Sequence, residues 1–210
     1  MPSVRNLLAV DPSLTCSGWA FFSVSTGEIK AVGKIRGGAA SIPLATRLSS
    51  LHIQIEQLIR HLNLNSQDAL VCEAPTTMRD PLNAIKVEQV RGIFEGIARS
   101  SGVAVPGRVN PRSVQHEVIG LRGKQAPRAE VKSAAVRVAH LLYAEKFLML
   151  GISREEKDLN KHQDVVDAVL IGHLALQRLR AAEQSGLSRE QLFATAPQGS
   201  RRSWRVRPCA

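Results

Sequence analysis

Leu7-Leu8-Ala9-Val10 is an unbroken apolar run that stops at Asp11-Pro12-Ser13, where Pro and Ser signal a turn. A second β-rich run, Gly18-Trp19-Ala20-Phe21-Phe22-Ser23-Val24, follows at once. Thr26-Gly27 supplies the next turn, and between Ile29 and Ile35 the residues Ile29, Ala31, Gly33 and Ile35 alternate with Lys30, Val32 and Lys34. That period of two predicts a third strand with one partly exposed face, so the chain opens as an antiparallel meander. Beyond Ser41 the period changes. Leu44, Leu48, Leu51, Ile55, Leu58, Ile59 and Leu62 recur every three or four residues, with Pro43 near the start, which predicts an amphipathic helix.

Ala69-Leu70-Val71-Cys72-Glu73 then reads as a buried strand ending in a carboxylate, stopped by Pro75. Ala84, Val87, Val90, Phe94 and Ile97 mark a second helix, and Val103-Ala104-Val105 a fifth strand. Asn110-Pro111 is a helix start, with Asn as cap and Pro in the first turn, for a helix closing near Gly120. Two further helices follow: Val131, Ala135, Val138 and Leu142 define one, and Val165, Val169, Gly172, Leu176 and Leu179 the other. The expected fold class is α/β, a five-stranded mixed sheet flanked by helices. One domain over residues 1–182 accounts for these elements. Residues 183–210, with Arg201-Arg202-Ser203-Trp204-Arg205, read as a basic, flexible tail. No internal repeat stands out.

Composition sharpens this picture in two ways. The 210 residues carry 28 Lys and Arg against 18 Asp and Glu, a net charge of +10, which favours a polyanionic partner such as nucleic acid. Cys16, Cys72 and Cys209 are scattered, without the close pairs of a zinc site or a disulfide framework, so a reducing cytoplasmic setting is expected. The first residues do not resemble a secretion signal, and no apolar run approaches the ~20 residues needed to span a bilayer.

The candidate chemistry lies in four acids. Asp11 and Glu73 each end a predicted strand, so their carboxylates emerge from one edge if those strands are neighbours. Asp164 and Asp167, three apart, share one face of the last predicted helix. Such a pair costs a few tenths of a kcal/mol when solvated and more when buried, roughly, and a cation is the natural compensation. Four carboxylates offer the oxygen ligands that hard Mg²⁺ prefers. Two such ions about 4 Å apart activate a water and stabilise the leaving oxygen in phosphodiester hydrolysis. Arg122, Lys124 and Arg128 crowd the loop after Gly120 and read as phosphate contacts. His162, two residues before Asp164, reads better as a helix-start residue than as a catalytic one.

Taken in order, Leu-Leu-Ala-Val-Asp11-Pro-Ser-Leu-Thr-Cys-Ser-Gly18-Trp, Val-Cys-Glu73, Val87-Glu-Gln-Val-Arg91-Gly92, Pro-Arg-Ser-Val-Gln-His-Glu-Val-Ile-Gly120 and Asp164-Val-Val-Asp167-Ala resemble the RuvC family of Holliday junction resolvases, within the ribonuclease H fold. The likeness spans roughly residues 6 to 178. It implies a homodimer that sets two active sites on a four-way junction and nicks strands of like polarity. It also implies catalytic and metal-ligating roles for Asp11, Glu73, Asp164 and Asp167, with two Mg²⁺ ions, replaceable by Mn²⁺. Arg112, Gln115, Arg122, Lys124 and Arg128 are the expected DNA contacts, Arg128 falling near the family's second active-site lysine. Gln115 stands where the family often carries a lysine, and Thr76 replaces the aromatic wedge that follows the strand-end Glu. These departures open the reading of a broader branched-DNA or fork nuclease. The segment from Arg79 to Arg99 is the expected dimer interface.

Two readings of other classes stand beside it. Asp11-Pro-Ser-Leu-Thr15 also resembles the first phosphate loop of actin-like ATPases, but Ser13 stands where they favour glycine, and they need two such domains. A DNA-binding module without catalysis is the other; it gives no reason to keep four like charges together.

Overall fold

A computed structural model describes residues 3–75, 80–121, 126–152 and 155–194. The strands β1 (Asn6–Asp11), β2 (Cys16–Ser23) and β3 (Ile29–Arg36) form the antiparallel meander. β1 also pairs in parallel with β4 (Asp68–Glu73), and the two-residue β5 (Arg108–Val109) lies parallel beyond it. The order β3-β2-β1-β4-β5 is the mixed sheet expected of a ribonuclease H-like fold.

The central strands are apolar on both faces because both are covered. Leu8, Val10, Leu70 and Cys72 pack under α1 (Leu44–His61) and α2 (Pro81–Ser100), in one cluster with Leu51, Ile55, Val90 and Phe94. Leu7, Ala9, Ala69 and Val71 face the other way, toward α4 (Arg128–Met149) and α6 (Gln163–Ser185), with Ala135, Val165, Val169 and Leu176. The first three residues of a short helix, α3 (Pro111–Ser113), run into a wider turn over Val114–Val118, and α5 (Glu156–Leu159) leads toward α6. Gly172 lets α6 lie flush on the sheet: a Cβ there would stand 2.2 Å from Phe22 Cε2 and 3.0 Å from Ala9 Cβ.

Three expectations are adjusted. The fifth strand does not run over Val103–Val105: Ala104 makes only an isolated bridge to Ala69, and pairing resumes at Arg108–Val109 against Cys72–Glu73. Pro106 has no N–H for the ladder and Gly107 turns at φ 154°, so one extra residue bulges out between the two pairings. In α4 the helical geometry breaks at Tyr143 (φ −139°, ψ 16°), which re-aims the turn beyond it so that Phe147 is fully buried, whereas Leu142, just before the break, is exposed. Past Ala182 the chain stays folded through the end of α6 and through α7 (Arg189–Phe193), capped by Ser188 and closed over a buried Phe193. Among the described residues, no helix is long and apolar enough to cross a membrane.

Candidate active site

Side chains alternate faces along a strand, so Asp11 follows Leu7 and Ala9, and Glu73 follows Ala69 and Val71, onto the α6 side of the sheet. β1 and β4 are parallel neighbours whose last paired residues are Val10 and Cys72, so both carboxylates leave from the same edge at the same level. The first turn of α6 arrives at that edge carrying Asp164, with Asp167 one turn further in. Gly18, the partner of Asp11 in the β1–β2 register, makes this approach possible. A Cβ on Gly18 would lie 1.8 Å from the carbonyl oxygen of Asp164.

The four acids interact as charges. Burial, then the charges of Glu73, Asp167 and Asp164, push Asp11 well above the usual carboxylate range. Burial and the charge of Asp167 raise Glu73 to about 7, with the Arg91 guanidinium opposing. Burial raises Asp167 to about 6 against a hydrogen bond from Gln163 (3.0 Å) and the charges of Lys132 and Arg128. Among the described residues, no three His, Cys, Asp or Glu side chains are gathered closely enough to grip one ion as they stand. The donor chemistry nonetheless fits a hard divalent cation: oxygen ligands only, desolvated and mutually repelling.

Burial of these carboxylates, reinforced by their mutual repulsion, makes stability depend on pH. The folded protein holds protons on Glu73 and Asp167 that an unfolded chain gives up near pH 4, so stability is lost as pH rises from about 4 to about 7. In chelator, Tm is expected to fall by several degrees between pH 5 and pH 7.5, and a flat or rising profile in the Asp167→Asn comparison protein would assign the drop to this cluster. An equally steep fall in that variant and in Glu73→Gln would place its origin elsewhere.

Cations flank the acids on two sides. A cavity of about 190 Å³ is lined by Glu73, Asp167, Gln115, Arg128 and Lys132. Arg128 and Gln115 thus stand on the wall of the same cavity as Glu73 and Asp167. Arg112 lines a neighbouring cavity with His116 and Arg178, and its Nη1 donates to Gln115 Oε1 at 3.2 Å, which links it to the acid cavity through Gln115. Arg122, Lys124 and Thr76 lie outside the described residues. His162 precedes α6 without a side-chain capping bond.

Sequence reading missed three contributors. Lys132 is one helical turn beyond Arg128, a spacing that shares a face, and this was the available signal. Lys34, on β3, pairs in register with Gly18 and donates to Asp164 Oδ2 at 3.1 Å. Arg91 is buried on α2, donates from Nε to the Glu73 carbonyl oxygen at 2.6 Å and ion-pairs with Glu88, tying down the end of β4.

No family model matches the chain. Among curated proteins, the crossover junction endodeoxyribonuclease RuvC of Erythrobacter litoralis (strain HTCC2594) is 30% identical over 129 residues, 60% of this chain and 75% of that protein. The chain belongs to the RuvC family. The RuvC protein of Parvibaculum lavamentivorans (strain DS-1) is 31% identical over 123 residues, 57% of this chain and 67% of that protein. The fold agrees with two solved Thermus thermophilus RuvC structures, each 16% identical. One, in complex with Holliday junction substrate, has a TM-score of 0.60 and covers 88% of this chain and 98% of its own. The other has a TM-score of 0.57 and covers 87% and 98%.

Proposed function

We propose that this RuvC-family chain is an endodeoxyribonuclease that resolves Holliday junctions by Mg²⁺-dependent phosphodiester hydrolysis, nicking two symmetry-related strands as a homodimer. The observation that carries the reading is the meeting of Asp11 and Glu73, from neighbouring parallel strand ends, with the first turn of α6. Asp11, Glu73, Asp164 and Asp167 are the proposed metal ligands and catalytic groups, with two Mg²⁺ ions proposed and Mn²⁺ as a substitute. When bound, the ions supply an activated water and charge neutralisation at the scissile phosphate.

The chain's own residues do the rest. Gln163 holds the carboxylate of Asp167 by its hydrogen bond to Oδ1. Lys132 and Arg128 border the cavity next to Glu73 and Asp167, where they attract a phosphate and offset the charge of the acids. Arg91 fixes the strand end from which Glu73 projects. Gln115 on the cavity wall and Arg112, which donates to it, are further proposed DNA contacts, and Arg122 and Lys124 are proposed on the sequence reading alone. The homodimer reading draws on α2, whose first turns leave Leu82 and Ile85 69% and 57% exposed. The cytoplasm, where free thiols such as Cys16 and Cys72 stay reduced, is the proposed setting.

Incubation with synthetic four-way, three-way and linear DNA, with and without Mg²⁺, tests the proposal. Paired nicks in the four-way junction, dependent on the metal, are expected. Equal cutting of the three-way substrate would favour a broader branched-DNA nuclease, a reading to which Thr76 and Gln115 lend weight. Cutting that persists in chelator would end the metal assignment.

A further inference from the structure

Of the four acids, Asp164 alone stands in an ion pair among the described residues. Its partner is Lys34, held by strand register and not by chance placement on the surface. Asp11, Gly18 and Lys34 lie side by side across β1, β2 and β3, and the Asp164 turn rests on the bare Gly18 between them. Lys34 therefore reaches Asp164 from the side opposite Asp11. Its ammonium donates to Asp164 Oδ2 at 3.1 Å and to the carbonyl oxygen of Lys161, just before α6, at 3.2 Å. The Lys34 side chain is only 16% exposed, whereas that of Asp164 is 37% exposed. The fixed partner is the cation.

An oxygen that accepts an ammonium proton cannot also ligate a divalent ion at roughly 2.1 Å without pressing two cations together. The Cys16 thiol also faces Asp164, pushed upward by burial and by a hydrogen bond to that carboxylate, and supplies no competing positive charge.

We infer that Lys34 is a tethered counter-ion that competes with the divalent cation for Asp164, and so sets the metal concentration at which the carboxylate cleft fills. The inference rests on the metal-cleft reading above. Before metal binds, the ammonium neutralises one arm of a repelling cluster. Metal ligation through Oδ2 requires that it let go, and ligation through Oδ1 still meets the ammonium's positive charge across the same carboxylate. A residue that merely oriented Asp164 for ligation would have the opposite effect on affinity, which makes the sign of the change decisive.

Calorimetric titration of Mn²⁺ into the full chain without DNA, beside thermal melts, tests this. Lys34→Met is expected to bind Mn²⁺ about fivefold or more tightly than the parent, to melt lower in chelator, and to gain more Tm from the metal. Lys34→Arg, which keeps the charge, is expected to stay within about twofold of the parent. Should Lys34→Met fail to fold, Lys34→Gln is read by the same criterion. Unchanged or weaker Mn²⁺ binding by the folded variant overturns the inference, while binding by the parent leaves the metal cleft standing. Absence of Mn²⁺ binding in both overturns the two together.

Discussion

Asp11→Asn is expected to slow metal-dependent cleavage of a four-way junction on the order of a thousandfold or more, equal to about 4 kcal/mol of barrier. The same change is expected to make the metal-free protein more stable. Asp11 is forced upward by burial and by three neighbouring acids, so an ionised carboxylate there costs folding energy at neutral pH. Asparagine keeps the shape and removes the charge. A gain of about 1–2 kcal/mol at pH 8 in chelator is the expected size. Opposite movements of activity and stability are the signature of a group kept for chemistry, and a structural acid would lose both together. Junction binding in Ca²⁺ or chelator, followed by gel shift, should survive. Cleavage by Asp11→Asn within tenfold of the parent would remove Asp11 from the site, and parallel loss of binding would assign it to DNA contact.

Gly18→Ala is the second large effect, and its cause is steric. The new Cβ would meet the carbonyl oxygen of Asp164 at 1.8 Å, its carbonyl carbon at 2.2 Å and Val165 N at 2.9 Å. All three are backbone atoms, so no rotamer change relieves the contact, and the first turn of α6 must lift off β2. A loss of about 3 kcal/mol is expected, seen as a fall in Tm on the order of 6–12 °C. Activity should fall further, by about a hundredfold or more, because lifting α6 moves Asp164 and Asp167 away from Asp11 and Glu73. A crystal structure of the variant should show the turn displaced. A variant with parental Tm and parental cleavage would mean that α6 does not lean on Gly18.

Much of the fold is legible in the chain itself, because strand and helix periods are local properties. The switch from alternation at Ile29–Ile35 to three-and-four spacing after Leu44 marks both element types, and β3 and α1 form where that switch places them. The apolar runs Leu7–Val10 and Ala69–Cys72 announce strands covered on both faces, and the acid closing each run sits at a strand end. Asp-x-x-Asp at the start of a helix fixes two carboxylates on one side of it.

Register and close approach are not local, and they decided the rest. Parallel pairing of β1 with β4 turned two distant strand ends into one edge, and the missing Cβ of Gly18 let α6 reach it. Lys34 became a neighbour of Asp164 only through β2–β3 register across more than a hundred residues of sequence, and Lys132 gained a place beside Asp167 from the packing of α4 on α6. The turn at Pro111–Val118 set Arg112 against Gln115, with Nη1 donating to Gln115 Oε1 at 3.2 Å, between the acid cavity and its neighbour. Periodicity is written in neighbouring side chains, so the sequence by itself determined the meander, β4, the long helices and which acids end the strands, but not the fifth strand or α7. A Coulomb interaction depends on distance in space, and that only the tertiary structure decided.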